Sequence, residues 1–207
     1  MKKLSVLISV AIIILNLNVL GQEGYHEHDG FFLRMLYGFG YAELNEKDVL
    51  GSDLKYSGFA QDLRFQIGGT VAENLILFGE FGGVMQIDPQ FEYMGVTGKA
   101  TDVTVSVFDF GGGITYYWMP SNIYLSFSLL SSQATFEFQG TTGESQYGFG
   151  FNGMVGKEWW VGEQWGLGVA LYGYFSTMKD EGTINGVNYS SDINNFSAGV
   201  MFSATYN

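Results

Sequence analysis

The sequence predicts an all-β fold, an eight-stranded antiparallel up-and-down transmembrane β-barrel. Three observations predict it. Large apolar residues alternate with small or polar ones at period two, in eight segments of about ten residues each. The connections between segments switch regularly between tight turns and long polar loops. The composition is poor in solvating groups: of 207 residues 46% are hydrophobic and 14% charged, against about 25% charged in soluble domains. There are 30 glycines and no cysteine. The missing thiols exclude disulfide scaffolds, iron–sulfur clusters and thiolate zinc sites.

The first segment reads as an address. Met1-Lys2-Lys3 is basic, an apolar run follows from Leu4 to Leu15, and Asn16 and Asn18 break the pattern before Gly21. This is the layout of a cleaved secretory signal peptide over 1–21. A single membrane anchor is the competing reading, but the run is shorter than the ~20 residues a spanning helix needs. Loss of Lys2 and Lys3 with the leader leaves seven basic residues against 21 acidic ones. Nucleic acid, which requires a basic surface, is excluded as a partner. Residues 22–30 read as a periplasmic tail and 31–207 as the barrel.

The first strand segment, 31–42, sets Phe31, Leu33, Met35, Tyr37, Phe39 and Tyr41 against Arg34, Gly38, Gly40 and Ala42. The second, 59–71, opposes Phe59, Leu63, Phe65 and Ile67 to Asp62, Arg64, Gln66 and Gly68. The third, 75–85, sets Leu77, Phe81 and Met85 against Glu80 and Gly82. In the fourth, Phe108, Phe110, Ile114 and Tyr116 oppose Asp109, Gly111 and Gly113. Val103, Val105 and Val107 stand in the opposite phase there, which predicts a bulge or phase change near Phe108. The fifth segment alternates from Ile123 to Leu129, the sixth from Tyr147 to Val155, the seventh from Trp165 to Phe175 and the eighth from Phe196 to Tyr206. Tight turns fall at 72–74, 119–122 and 161–164. Long polar loops are expected at 43–57, 87–102, 137–146 and 180–194.

Alternation alone does not say which face is inside. A soluble barrel would clothe its outer face in charge. Here the polar face carries many glycines and six strong charges: Arg34, Asp62, Arg64, Glu80, Asp109 and Glu158. That is a poor solvent surface and a suitable narrow lumen. The apolar face is too bulky to pack inside eight strands. In hydrocarbon only a helix or a closed sheet satisfies its backbone, and the period excludes the helix. Aromatic residues gather at the short-turn end, where Tyr116, Tyr117, Trp118, Trp159, Trp160, Trp165 and Tyr206 read as a periplasmic girdle between lipid and water.

On the alternating strand 31–42, the hairpin 148–165 and the final strand ending Phe202-Ser203-Ala204-Thr205-Tyr206-Asn207, the chain resembles the small eight-stranded outer-membrane β-barrels of the OmpA/OmpX/OmpW-like superfamily. The resemblance covers 31–207 and is architectural. Asn207 departs from the family's terminal aromatic residue. The resemblance implies residence in the bacterial outer membrane, outer-membrane lipid as surroundings, and the barrel assembly machinery and periplasmic chaperones as partners in biogenesis.

Little chemistry is legible. His26 and His28, with Glu27 and Asp29, have donor types that bind zinc or copper, but without a preformed cage they read as a polar tail. No histidine follows His28, so a lipid-cleaving or proteolytic site lacks its usual base. Arg34, Asp62, Arg64, Glu80 and Asp109 read as a paired lumenal charge network, because bare charges in a tight lumen are costly. Acidic residues in the outer loops, such as Asp48, Asp53, Asp180 and Glu181, match no calcium loop. No cofactor, metal or catalytic residue is expected. The leading reading is a non-enzymatic barrel acting through its outer loops, in surface interaction or adhesion or in envelope integrity. A narrow channel for small or apolar solutes is the alternative, favoured by space that lumenal glycines would leave. A lipid-modifying enzyme comes third. The extracellular ligand is not specified by the sequence.

Overall fold

The computed structural model describes residue 28 and residues 30–49, 52–184 and 187–207. The expected leader and most of the expected tail lie outside the described residues. The described chain is antiparallel sheet throughout. Eight long strands carry it: β1 (Phe31–Val49), β2 (Ser52–Ala72), β3 (Leu75–Ile87), β6 (Val103–Trp118), β7 (Ile123–Phe138), β9 (Gly148–Trp160), β10 (Trp165–Ile184) and β11 (Val187–Tyr206). Three short strands, β4 (Gln90–Tyr93), β5 (Val96–Lys99) and β8 (Thr141–Glu144), lie in the connections. Each long strand pairs with the next, and β1 pairs with both β2 and β11, so the sheet closes on itself. Closure leaves no open edge along the wall.

The apolar side points out. On β1, Phe31, Met35, Tyr37, Phe39 and Tyr41 are exposed, while Phe32, Arg34 and Leu36 are wholly buried. Outward apolar residues run from Phe31 to Tyr41 on β1, from Trp165 to Phe175 on β10 and from Phe196 to Tyr206 on β11. Ten intervals of ~3.3 Å, tilted about 40°, give a belt about 25 Å high. That is the height of the lipid-facing band of a transmembrane barrel.

Above the belt the polarity inverts without any change of backbone phase. β6 keeps one register with β3 and one with β7 along its length, so the bulge expected near Phe108 is absent. Val105 and Val107 are buried inside, directly above Asp109. Thr104 and Ser106 face out. On the outer extension water replaces lipid, so apolar residues turn in and polar ones out. Leu44, Ala134, Met178 and Ile193 join this small core, and Tyr56 and Phe136 approach to 6.0 Å beside it. The same inversion corrects the expected loops. The β1–β2 hairpin stays paired to Val49 and Ser52, and β10–β11 to Ile184 and Val187. Within 87–102, β4 adds to β2 and carries β5 as a hairpin, and β8 pairs with the end of β7.

Glycine makes the tight curvature possible. A Cβ on Gly111 would lie 2.1 Å from the Leu129 carbonyl oxygen, and one on Gly113 2.2 Å from that of Phe127. Gly40 and Gly199, register partners, are blocked in the same way by Ala198 and Phe39. These positions hold neighbouring backbone, not empty space, which corrects the expectation that glycine opens the lumen. Elsewhere a ring lies over the glycine: a Cβ on Gly156 would meet the Tyr124 ring at 2.5 Å. Gly111→Val is therefore expected to lose more than about 3 kcal/mol, beyond ordinary overpacking, and to fail to give the compact, heat-modifiable band on electrophoresis. Gly79→Ala, whose Cβ meets nothing nearer than 3.8 Å, is expected to retain that band.

Candidate functional site: a filled lumen

All eight long strands send polar groups into the lumen at the depth of the belt. The centre is Arg64 on β2. Its Nε lies 2.9 Å from Asp62 Oδ1, and its Nη1 donates to Glu80 Oε1 at 2.8 Å and to Asp109 Oδ1 at 2.9 Å. The Tyr174 ring lies 4.6 Å from the guanidinium carbon. Glu80 also accepts from Gln66 Nε2 at 2.8 Å, Ser128 Oγ at 2.6 Å and Asn152 Nδ2 at 3.2 Å. One carboxylate on β3 is thereby tied to three other strands, β2, β7 and β9.

Arg34 forms a second centre nearer the short-turn end. Its Nε is 3.1 Å from Glu158 Oε1, and its Nη2 donates to the Tyr117 hydroxyl. Tyr117 in turn donates to Glu158 Oε2 at 2.9 Å, and Thr205 Oγ1 to Oε1 at 2.6 Å. The Tyr124 ring lies 4.1 Å from the Arg34 guanidinium carbon. Gln66 joins the two centres: its Oε1 accepts from Arg34 at 3.2 Å while its amide donates to Glu80. The structure thus places Arg34, Asp62, Arg64, Glu80 and Asp109 in one connected but two-centred network. Arg34 pairs with Glu158 and does not meet Asp62 or Asp109 in any ion pair among the described residues.

Sequence reasoning missed Gln66 and the lumenal tyrosines as members. Their signal was present: Tyr124, Tyr172 and Tyr174 stand in the polar phase of their strands. Tyr117 was grouped with the lipid girdle, yet it is fully buried inside. Tyr116, Trp118 and Trp165 project outward, between 41% and 47% exposed, and Trp159 and Tyr206 are half-buried. Trp160 turns to the mouth, 5.1 Å from the ring of His28. A second aromatic ring, at the outer edge of the belt, includes Tyr41, Phe59, Phe108, Phe149, Phe175 and Phe196, all exposed.

His28 closes the mouth at the short-turn end of the barrel. Its ring stacks on Tyr117 at 3.5 Å, and its Nε2 donates to Asn122 Oδ1 at 2.7 Å. Thr70 holds the chain on either side, through its hydroxyl to His28 O and its amide to Gly30 O. This residue is a buried stopper in place of the solvated tail expected, and the described residues contain no cluster able to hold a metal ion. Burial pushes the His28 imidazole below its usual 6.5, against the opposing pull of Glu158.

Three outcomes follow from this geometry. Arg64→Leu leaves three carboxylates without their cation and is expected to lose about 3–5 kcal/mol of stability in denaturant unfolding. Lys55→Leu, which breaks the half-exposed Lys55–Glu43 pair on the outer extension, is expected to lose less than about 1 kcal/mol. Because the folded state favours neutral His28, its contribution is complete above pH about 6.5 and is lost as pH falls through the depressed value. Cleavage at Glu27 by a glutamate-specific protease is therefore expected to rise on acidification relative to a His28→Phe reference, whose stopper does not titrate.

No protein-family model matches the chain, and no curated protein matches it by sequence. Solved structures do. The outer-membrane protein OprG of Pseudomonas aeruginosa is similar over 87% of this chain and 98% of its own, at 15% identity and a TM-score of 0.52. The outer-membrane protein AlkL is similar over 93% of this chain and 97% of its own, also at 15% identity and a TM-score of 0.52. The closed ring of eight long strands, apolar outside and polar within, is the fold of the small bacterial outer-membrane β-barrels.

Proposed function

We propose that this chain is a closed, non-enzymatic scaffold of the outer membrane that presents its outer extension for interaction at the cell surface. The observation that carries the reading is the filled lumen. Arg34, Arg64, Tyr117, Tyr124 and Tyr174 are all fully buried at its centre, His28 stops the lower mouth, and an apolar core lies above Asp109. A water-filled path needs polar space, and here the lumenal arginines and carboxylates are paired with one another. Function then falls to the connections carried by the rigid wall. The outer extension offers the β4–β5 hairpin, with Met94 and Val96 more than 60% exposed at its tip.

A channel remains the second reading, supported only by the polar lining of the lumen. The enzyme reading has less support: the lumenal carboxylates are engaged by arginine, and the only described histidine is packed in the mouth. On this account the leader at 1–21 directs export, and periplasmic chaperones and the barrel assembly machinery act during biogenesis.

Planar-bilayer recording separates the readings. The scaffold predicts silent membranes for the wild type. Ohmic steps that change in Arg64→Ala would establish the channel instead. Lipid A from cells with and without the protein is expected to give the same mass spectrum; a deacylated or trimmed species would establish an enzyme.

A further inference from the structure

Two ladders meet on β2 and leave a gap between them. The pairing of β2 with β3 ends at Gln61 and Met85, and its pairing with β4 begins at Ser57 and Gln90. In between, three residues of β2, 58–60, stand opposite four of the returning chain, 86–89. The extra residue breaks the ladder as a β-bulge does, and bulges re-aim side chains. Gly58 takes a φ of +152° in the gap, a conformation that a side chain resists. The returning turn is fixed on both sides: the Asp88 amide donates to Val103 O at 2.8 Å, and the Ala100 amide to Pro89 O at 2.9 Å.

The gap is a pocket of about 550 Å³, the size of a small-molecule site. Its lower rim is apolar. Phe59 and Ile87, both exposed, line it and are the uppermost outward apolar residues of β2 and β3. Its upper rim is polar. Ser57 shares the outward phase of Phe59, and its row continues through Gln90 on β4 to Lys99 on β5. Lys55, Glu92 and Thr97 form the next row up. Lys55 is held by Glu43 at 2.7 Å, whereas Lys99 forms no ion pair among the described residues. Asp88, Gln90, Glu92 and Lys99 all line the pocket. One rim thus continues the lipid-facing belt, and the other stands on the water side of it.

The lining selects the ligand. One ammonium beside two carboxylates gives no net attraction for a phosphate. Carboxylates, amide and ammonium together offer both acceptors and donors above an apolar platform. We propose that this pocket binds the neutral sugar headgroup of a glycolipid in the outer leaflet, its hydroxyls on Gln90, Glu92 and Lys99 and its first methylenes against Phe59 and Ile87. The assignment rests on reading the outer extension as the cell-surface end of the barrel.

Native mass spectrometry of the full chain, folded in the sugar-free detergent lauryldimethylamine oxide, tests it with digalactosyl diacylglycerol as probe. The wild type is expected to retain one molecule at low and high salt alike, because the headgroup carries no charge. Lys99→Met is expected to reduce retention about tenfold, the scale of one lost hydrogen bond to a charged group. Lys179→Met, which lies outside the pocket lining, is expected to bind as the wild type does. Diacylglycerol without the sugar, and free digalactose without the lipid, are each expected to bind at least about tenfold more weakly, since each meets only one rim. Equal retention by Lys99→Met, or equal binding of diacylglycerol, phosphatidylglycerol or free digalactose, would overturn the site. Heat-modifiable mobility checks that each variant is a closed barrel. Orientation is read separately from Val96→Cys, which would carry the single thiol of a chain without cysteine. Labelling of intact cells by an impermeant maleimide is expected; labelling only after lysis counts against the surface reading, whatever the purified protein retains.

Discussion

Hydrocarbon offers a peptide group no hydrogen-bond partner, and the rest of this structure follows from that constraint. Every backbone amide at membrane depth must find a carbonyl on a neighbouring strand. Eight strands meet the requirement only by curving into a ring so narrow that side chains must fill it. The curvature demands glycine where strand backbones crowd, at Gly40, Gly111, Gly113 and Gly199. The narrowness demands that any charge inside be answered inside. Arg64 answers Asp62, Glu80 and Asp109, and Arg34 answers Glu158. Removing water raises the penalty for an unpaired charge and strengthens each bond made. The network is therefore both a filler and a clamp, because its members come from every strand of the ring.

The wall responds to its surroundings along its own length. Through the belt, phenylalanine and leucine face out and arginine faces in. Above Phe108 valine turns in and serine out, while the register of β6 with both neighbours continues unbroken. One chain thus folds as a membrane barrel below and as a water-soluble barrel above. The join marks the outer surface of the bilayer, close to the ring of Tyr41, Phe59, Phe108 and Phe175. His28 caps the lumen at one end and the apolar core fills it at the other, and the proposed scaffold role rests on that filling.

Much of this was legible in the sequence because period-two alternation reports the face of each side chain directly. The segments at 31–42 and 165–175 assigned their strands and their outward sides unaided. What was not legible depended on context beyond one strand. Val103, Val105 and Val107 looked out of phase because a fixed rule, apolar outward, was carried past the membrane surface where it reverses. The outer hairpin arms looked like loops for the same reason. Tyr117 and Trp160 looked like girdle residues by composition, and only the parity of their positions puts Tyr117 inside and turns Trp160 to the mouth. His28 lies outside any periodic segment, so nothing local signalled that it packs against Tyr117 and Asn122. The bridge through Gln66 joins residues 32 and 14 positions away in sequence, a relation set by the ring.

The chain contains no cysteine, so single nitroxide labels can be placed at will on the outward positions of β10 in lipid vesicles. Collision with oxygen and with a water-soluble nickel complex then reports what each position touches. At Val169 and Leu171 the account predicts high oxygen and low nickel accessibility, with nickel access returning at Lys179. Labels at Val169 and Leu171 that were shielded from both reagents, as in a protein interior, or open to nickel, as in water, would contradict it.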